Sequence, residues 1–392
     1  MELTFCCPVL FGLEGIVADE LRFEGKCETV RADNGRVYFS GGWDMLAWAN
    51  LHLRCAERVL VRLACFPAHS FDELFEGVRA IEWADWLPAN AAFPVKGHTL
   101  QSALHSVPDC QKIVKKAVVR RMEQAYGNSW FTEDGVKFQI QFSILHDQAE
   151  IFLDTSGAGL HKRGYRAQAN AAPLRETLAA AMVKLARFRG QQTLLDPFCG
   201  SGTIPIEAAM IAQRRAPGLS RSFAAEKWPC VLQTIWSDAR AAALARILPG
   251  AGWDIRGSDL DPACVALSEE NARKAGVGQL IRFTQADART LALGQQTGWL
   301  LANPPYGERL LDRQQAHALY QQMGKIAGRS PMKQYFLAAE PQFERYYGMR
   351  ADKKRKLYNG MLQCNLYMYF QPPLDRKPFL DKPQRRKPNV HK

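Results

Sequence analysis

The stretch that most constrains this chain is Thr193-Leu194-Leu195-Asp196-Pro197-Phe198-Cys199-Gly200-Ser201-Gly202-Thr203. A short apolar run passes through a Gly-rich turn into an apolar helical pattern, as when a buried strand hands over to a helix in an open α/β sheet. The alternation continues to residue 370. Spacing predicts strands at 193–198, 254–259, 280–287, 299–303, 334–339 and 363–370, and helices at 173–188, 203–214, 262–275 and 313–327. Such alternation gives a mostly parallel sheet with helices on both faces, and ligands of these sheets bind at the carboxyl ends of the strands.

Four of those ends carry chemistry. Gly200 and Gly202 let the backbone approach a ligand closely, and the helix start at Thr203 favours an anion. The third glycine of a dinucleotide fingerprint is missing, and no Lys follows as a phosphate-binding loop requires. An acid at Asp196 instead suits a ligand carrying both a carboxylate and an ammonium, the methionine half of S-adenosylmethionine. The second strand ends at Asp259, placed to accept from ribose hydroxyls, while Asp261 caps the helix opening at Pro262. Asp259 lies far beyond the roughly 20 residues that usually separate such an acid from the Gly loop, so an insertion must intervene. Residues 214–249, with Trp228, Trp236 and an Ala-rich helical stretch, supply it. Asp287 ends the third strand, where it could accept from an adenine amino group. The fourth ends in Asn303-Pro304-Pro305-Tyr306. The Asn oxygen and a backbone carbonyl can accept both hydrogens of an aromatic amine and stabilise positive charge developing on its nitrogen. The prolines remove competing N–H donors, and Tyr306 offers a face on which an extruded base can stack.

Before residue 193 the pattern is α+β. Helical spacing at 11–23 precedes a turn at Asp33-Asn34-Gly35, a strand at 35–39 and a helix at 43–52. A strand at 59–63, a helix at 71–78, a strand at 92–95, a helix at 109–126 and a hairpin of 137–145 with 149–154 follow. On the helix at 109–126, Lys112, Lys116 and Arg120 share a face, flanked by Lys115 and Arg121. Residues 155–170 are Gly-rich and basic, with Lys162 and Arg163, and read as an inter-domain linker close to RNA. The Pro-rich cationic stretch 371–392 reads as a disordered tail. A net charge of +12 suits a polyanionic partner. No apolar run approaches the roughly 18 residues of a membrane span. The opening Met1-Glu2-Leu3-Thr4-Phe5 carries an acid where a signal peptide would be positive, so the cytoplasm is expected. The 10 Cys are scattered without zinc spacing, and no metal is expected.

Asp196-Pro-Phe-Cys-Gly-Ser-Gly-Thr203 with Asn303-Pro-Pro-Tyr306 resembles the class I methyltransferases that modify exocyclic amines. More narrowly, the chain is similar to bacterial THUMP-domain guanine-N2 methyltransferases of large-subunit ribosomal RNA. The likeness includes Asp154-Thr-Ser-Gly-Ala-Gly-Leu-His-Lys-Arg-Gly-Tyr-Arg166, Ala172-Pro-Leu-Arg-Glu-Thr-Leu178, Ala216-Pro-Gly218, Asn303-Pro-Pro-Tyr-Gly-Glu-Arg309, Arg350-Ala-Asp-Lys353 and Asn359-Gly360. It implies a ferredoxin-like subdomain (1–52), a THUMP RNA-binding domain (53–155) and a Rossmann-like catalytic domain (156–370) before the basic tail (371–392). By that resemblance Asp196, Pro197, Cys199, Gly200, Gly202, Thr203, Asp259 and Asp287 hold S-adenosylmethionine, and Asn303 to Tyr306 hold the target base. The implied partner is 23S ribosomal RNA or a large-subunit assembly intermediate. Some members carry a second methyltransferase domain, and one modification rather than two is expected here. The Asn-Pro-Pro-Tyr motif also occurs in DNA adenine-N6 methylases. Transfer RNA guanine-N2 methylation, DNA adenine-N6 methylation and a non-catalytic assembly factor therefore stay open.

Overall fold

The computed structural model describes residues 2–166, 174–190, 192–250, 252–305 and 313–379. The chain divides into two units, 1–166 with 214–249, and 167–213 with 250–392.

The first unit begins with β1 (Leu3–Pro8), α1 (Glu14–Asp19), β2 (Val30–Asp33), β3 (Arg36–Gly41), α2 (Trp43–His52) and β4 (Leu60–Pro67). It continues with α3 (Phe71–Arg79), β5 (Val95–Leu100), α4 (Val107–Tyr126), β6 (Ile140–Leu145) and β7 (Gln148–Asp154). The strands form one 7-stranded sheet in the order β2-β3-β1-β4-β7-β6-β5. Its first four strands have the antiparallel order of a ferredoxin-like fold. The expected boundary at residue 52 falls before the strand that completes this fold. β4 bonds β1 on one side and β7 on the other, so one strand serves both halves of the sheet. Local signals fix the helices. The Ser70 hydroxyl accepts the Glu73 amide and the Glu73 carboxylate accepts the Ser70 amide, a reciprocal cap that starts α3. α4 starts beside Pro108 and stops at Gly127, whose φ is 69°.

The second unit holds α5 (Glu176–Leu185), β8 (Thr193–Asp196) and α6 (Thr203–Ala212). The excursion 214–249, which carries α7 (Gln233–Ala245), then belongs to the first unit. β9 (Ile255–Asp259), α8 (Pro262–Lys274), β10 (Ile281–Gln285), β11 (Gly298–Ala302), α9 (Arg313–Ala327) and β12 (Lys333–Ala338) follow, then α10 (Phe343–Tyr347), β13 (Lys353–Asn359) and β14 (Leu362–Tyr369). The sheet order is β10-β9-β8-β11-β12-β14-β13. The first five run parallel and the last two pair antiparallel. The chain winds outward from β8 in both directions, so the switch point lies between β8 and β11.

Several expectations change. β1, β2 and β13 were not legible as strands. The strand expected at 92–95 forms at Val95–Leu100, because Pro94 cannot donate to a ladder. Residues 155–166 are an ordered part of the first unit, not a free linker. Arg221 donates to the carbonyls of Ser156, Ala158, Gly159 and Lys162 and holds that segment in place. The tail expected from residue 371 is not free over 371–379. Arg376 is buried and donates to the carbonyls of Gly328, Met332 and Gln371; residues 380–392 lie outside the described residues.

The insertion is built into the first unit by stacking and close approach. Trp228 is buried, stacks on Phe138 at 4.8 Å and donates its indole N–H to the Lys137 carbonyl. The Gly218 amide donates to the Leu51 carbonyl at the end of α2, and a Cβ on Gly218 would sit 2.8 Å from the Leu51 Cα and 2.9 Å from the Asn50 carbonyl. Gly218→Ala should therefore lower stability by about 1–3 kcal/mol in urea denaturation. Gly15→Ala in α1, where a Cβ meets nothing within 4 Å, should be neutral or stabilising by up to about 1 kcal/mol. Equal effects of the two would contradict the close approach.

Candidate active site

The carboxyl ends of β8, β9, β10, β11 and β12 line one cavity of about 2150 Å³. Typical small-molecule sites occupy roughly 300–1,000 Å³, so a cofactor and a base could share it. Asp196, Pro197, Cys199, Gly200, Thr203, Asp259, Asp287, Asn303, Pro304 and Pro305 all line the wall. Gly202 backs the loop, and Tyr306 lies outside the described residues.

The loop after β8 is set by hydrogen bonds the sequence did not announce. The Gly200 amide donates to Asp259 Oδ2 at 2.9 Å, and the Asp261 amide donates to Asp259 Oδ1 at 3.1 Å. Asp259 thus ties the Gly loop to the tip of β9. The Cys199 amide donates to the Ser258 carbonyl, the Ser268 hydroxyl to the Gly200 carbonyl at 2.9 Å, and the Asn271 side-chain Nδ2 to the Ser201 carbonyl at 3.0 Å. Ser268 and Asn271, both on α8, went unread because a polar residue within a helix gives no sign of what it faces. Gly200 has φ 53° and a Cβ there would meet nothing within 4 Å, so its face towards the cavity is open. Gly202 has φ 79° and packs against Ser268 and Phe283.

Asp196 is buried. Its Oδ1 accepts the Phe198 amide at 3.1 Å, while its Oδ2 is buried with no hydrogen-bond partner. Burial, reinforced by the Asp259 carboxylate, pushes its carboxyl up to about 8. Asn303 Oδ1 is likewise buried without a partner. The Pro305 carbonyl beside it accepts the Tyr320 hydroxyl at 2.8 Å. These two buried acceptors without partners, each costing about 1–3 kcal/mol, belong to residues that line one cavity. Such atoms fit two ligands side by side, one bringing an ammonium to Asp196 and the other an amine to Asn303.

Asp287 departs from expectation. Arg289 donates to both carboxylate oxygens, at 2.6–3.0 Å, and holds the Asp287 carboxyl below the usual range. The acceptor expected for an adenine amine is already filled, so it serves one only if Arg289 moves aside.

In the first unit, on α4, Lys112, Lys116 and Arg120 are exposed along one face. Lys112 and Arg120 make only surface pairs with Asp109 and Glu123, which are worth little in water. Lys115 and Arg121 are committed elsewhere: Lys115 pairs with Glu133 and lies over the Phe93 ring, and Arg121 pairs with Glu82. Lys162 is exposed, but Arg163 is buried and donates to the carbonyls of Leu160 and Arg54. Arg163 is therefore a structural residue and not the phosphate contact expected of it. Among the described residues no cluster of His, Cys, Asp and Glu has the makings of a metal site, and no helix is long and apolar enough to cross a membrane.

The sheet order and Gly loop define a Rossmann-like methyltransferase domain, accompanied by a ferredoxin-like and THUMP region. Residues 163–368 match the RMKL-like methyltransferase domain family, 4–60 the RlmL ferredoxin-like domain and 68–154 the THUMP domain. YpsC of Bacillus subtilis (strain 168), provisionally ascribed an RNA methyltransferase activity, is 42% identical over 373 residues, covering 94% of this chain and 96% of its own. The ribosomal RNA large subunit methyltransferase K/L of Psychromonas ingrahamii is 33% identical over 94% of this chain, and the match takes in 50% of that longer relative. This chain thus spans about half the length of the K/L relatives. The solved structure of SMU.472, a methyltransferase candidate complexed with SAH, superposes with a TM-score of 0.88 at 38% identity, over 94% of this chain and 98% of that one. The chain belongs to the RMKL-like methyltransferase family.

Burial of Asp196 has a measurable consequence. An unfolded Asp titrates near 3.8, and the folded one near 8. The protonated carboxyl therefore favours the fold below about pH 4, and that contribution is lost as pH rises through about 8. Between those limits the stability of the wild type should fall relative to Asp196→Asn, with a slope of at most about 1.4 kcal/mol per pH unit. Denaturation curves for both proteins from pH 5 to 9 check this; parallel pH profiles would contradict it.

Proposed function

We propose that the chain transfers the methyl group of S-adenosylmethionine to the exocyclic N2 of a guanine in large-subunit, 23S ribosomal RNA, in the cytoplasm. The observation that carries this reading is the partnerless, buried Oδ1 of Asn303 at the tip of β11, on the wall shared with the Gly loop. Family membership, the SAH held by SMU.472 and the ribosomal RNA named for the K/L relatives support it.

The residues fit the cofactor as follows. Asp196 Oδ2 takes the ammonium, the open backbone of Gly200 and the helix start at Thr203 take the carboxylate, and Asp259 accepts from the ribose hydroxyls. Pro197 and Cys199 shape the loop beside them. Bound there, the cofactor supplies an electrophilic methyl group on a sulfonium. The chain's own task is at the acceptor. An exocyclic amine is a weak nucleophile because its lone pair is delocalised into the ring. Asn303 Oδ1 and the Pro304 carbonyl accept its two hydrogens and turn the nitrogen out of conjugation. They also stabilise the positive charge that builds until a proton leaves. The Tyr320 hydroxyl on the Pro305 carbonyl holds this turn still. Tyr306 is proposed as the stacking platform for the base.

RNA is held through phosphates by Lys112, Lys116 and Arg120, with Lys162 as a further contact. These orient it without reading sequence. A base must leave its stack to reach Asn303, so loops and incompletely folded RNA are better substrates than mature subunits.

Asn303→Ala should lower methyl transfer about 100- to 1,000-fold, the scale of losing one preorganised transition-state contact, with cofactor affinity nearly intact. Asp259→Ala should weaken cofactor binding by about 1.5–3 kcal/mol, since it loses the ribose acceptor and the tether of Gly200. Radiolabelled-methyl assays and calorimetry separate the two. Near-normal turnover in Asn303→Ala would refute its role.

Alanine at Lys112, Lys116 and Arg120 together should weaken RNA binding and reduce the salt slope by about 2–3, sparing cofactor affinity. Nucleoside digestion after methylation of purified ribosomal and transfer RNA decides the substrate. N2-methylguanosine in transfer RNA alone would replace the ribosomal reading, and N6-methyladenosine would overturn the guanine one.

A further inference from the structure

The tips of β8, β9 and β11 have a proposed role; that of β12 does not. β12 lies beside β11, with Ala302 level with Phe336, and runs two residues further, to Ala338, so the turns after both strands reach the same rim. Those residues are Asn303 after β11 and Ala339-Glu340 after β12, and Asn303 and Glu340 line the same cavity. Glu340 is held at three points. Its carbonyl accepts the Tyr367 hydroxyl at 3.0 Å, its Oε1 accepts the Gln342 amide at 2.8 Å, and its Oε2 lies 3.3 Å from His317 Nε2. The carboxylate can only accept, so the His317 proton sits on Nε2. The His317 ring is itself stacked on Tyr346, with centroids 3.6 Å apart and planes 12° from parallel. A turn cap needs the Gln342 contact alone. It does not need a second, aromatic-clamped donor fixing the other oxygen on the cavity wall. With one such bond on each oxygen, a lone pair on each is left over, and the side chain keeps 23% of its surface exposed.

The chemistry of the neighbouring atom gives this carboxylate a use. On the Watson–Crick edge, the ring position next to the exocyclic amine is N1 in both purines with such an amine. In guanine N1 bears a hydrogen and donates; in adenine it is a bare acceptor. A base whose amine is held by Asn303 presents N1 to whatever stands beside that residue. An acceptor-only group there attracts guanine and repels adenine, and repulsion of the wrong partner is an efficient source of specificity.

We propose that Glu340 selects guanine at this site by accepting its N1–H, with His317 as the positioning residue that fixes the carboxylate; this rests on the guanine reading above. The Asn-Pro-Pro turn does not choose between the purines, and Glu340 does.

The test uses the full chain, protein-free ribosomal RNA and radiolabelled S-adenosylmethionine, with nucleoside digestion, beside calorimetry with S-adenosylhomocysteine. Glu340→Gln keeps the shape but brings a donor to the edge. It should lower N2-methylguanosine formation about 10- to 100-fold, the scale of a hydrogen bond to a charged group, and raise the ratio of N6-methyladenosine to N2-methylguanosine. His317→Ala should lower N2-methylguanosine formation less, without a change of base, because the carboxylate remains. Both variants should bind S-adenosylhomocysteine as the wild type does. Wild-type N2-methylguanosine with Glu340→Gln within twofold and the same product ratio overturns Glu340 alone. Loss of S-adenosylhomocysteine binding in Glu340→Gln assigns it to structure and also overturns the proposal. A wild type that makes no N2-methylguanosine overturns the guanine reading and this inference with it.

Discussion

The site depends on one hydrogen bond between neighbouring strands, from the Gly200 amide to Asp259 Oδ2. β8 and β9 are parallel and in register up to Asp196 and Gly257. Beyond that point one backbone bond, from the Cys199 amide to the Ser258 carbonyl, still joins the Gly loop to β9, and it stops short of Gly200. Asp259 supplies the tie at Gly200 itself, and α8 adds two more through Ser268 and Asn271. A charged acceptor on a backbone amide is among the stronger single contacts a loop can have. Without it the cradle at Gly200 and the buried face of Asp196 would not share one wall.

The same wall stores unfavourable terms. Asp196 is buried beside a second carboxylate, and Asp196 Oδ2 and Asn303 Oδ1 have no partner. A fold selected for stability alone would remove or pair these atoms. They persist where the five strand tips meet, and a cofactor ammonium at the first with a base amine at the second would repay both. Stability and function pull against each other most visibly here.

Much of this is legible in the sequence. The Gly loop, the acids at two strand ends and Asn303 announced themselves because short-range rules govern them: a positive φ favours glycine, and a strand tip in an α/β sheet is a ligand rim. What long-range packing decides was not legible. Arg163 looks like one more cation in a basic stretch, yet two carbonyls brought together by folding bury it. Lys115 and Lys116 are neighbours in sequence, but Glu133 captures only the first. Arg289 fills Asp287 from two residues away, a local pair that the strand-tip rule overlooks. β13 was missed because Lys353, Lys354, Arg355 and Lys356 show no apolar alternation; it is an edge strand whose partner β14 supplies the register. The insertion was inferred from spacing, but its membership in the first unit rests on Gly218, Trp228 and Arg221.

The most direct test of a cofactor crevice at the β8–β11 switch point is a crystal structure of this chain with S-adenosylhomocysteine. The ammonium should lie on Asp196 Oδ2, the ribose hydroxyls on Asp259, and the sulfur should face Asn303 across the cavity. A ligand seated elsewhere, or an Asp196 Oδ2 still without a partner in that complex, would contradict the account.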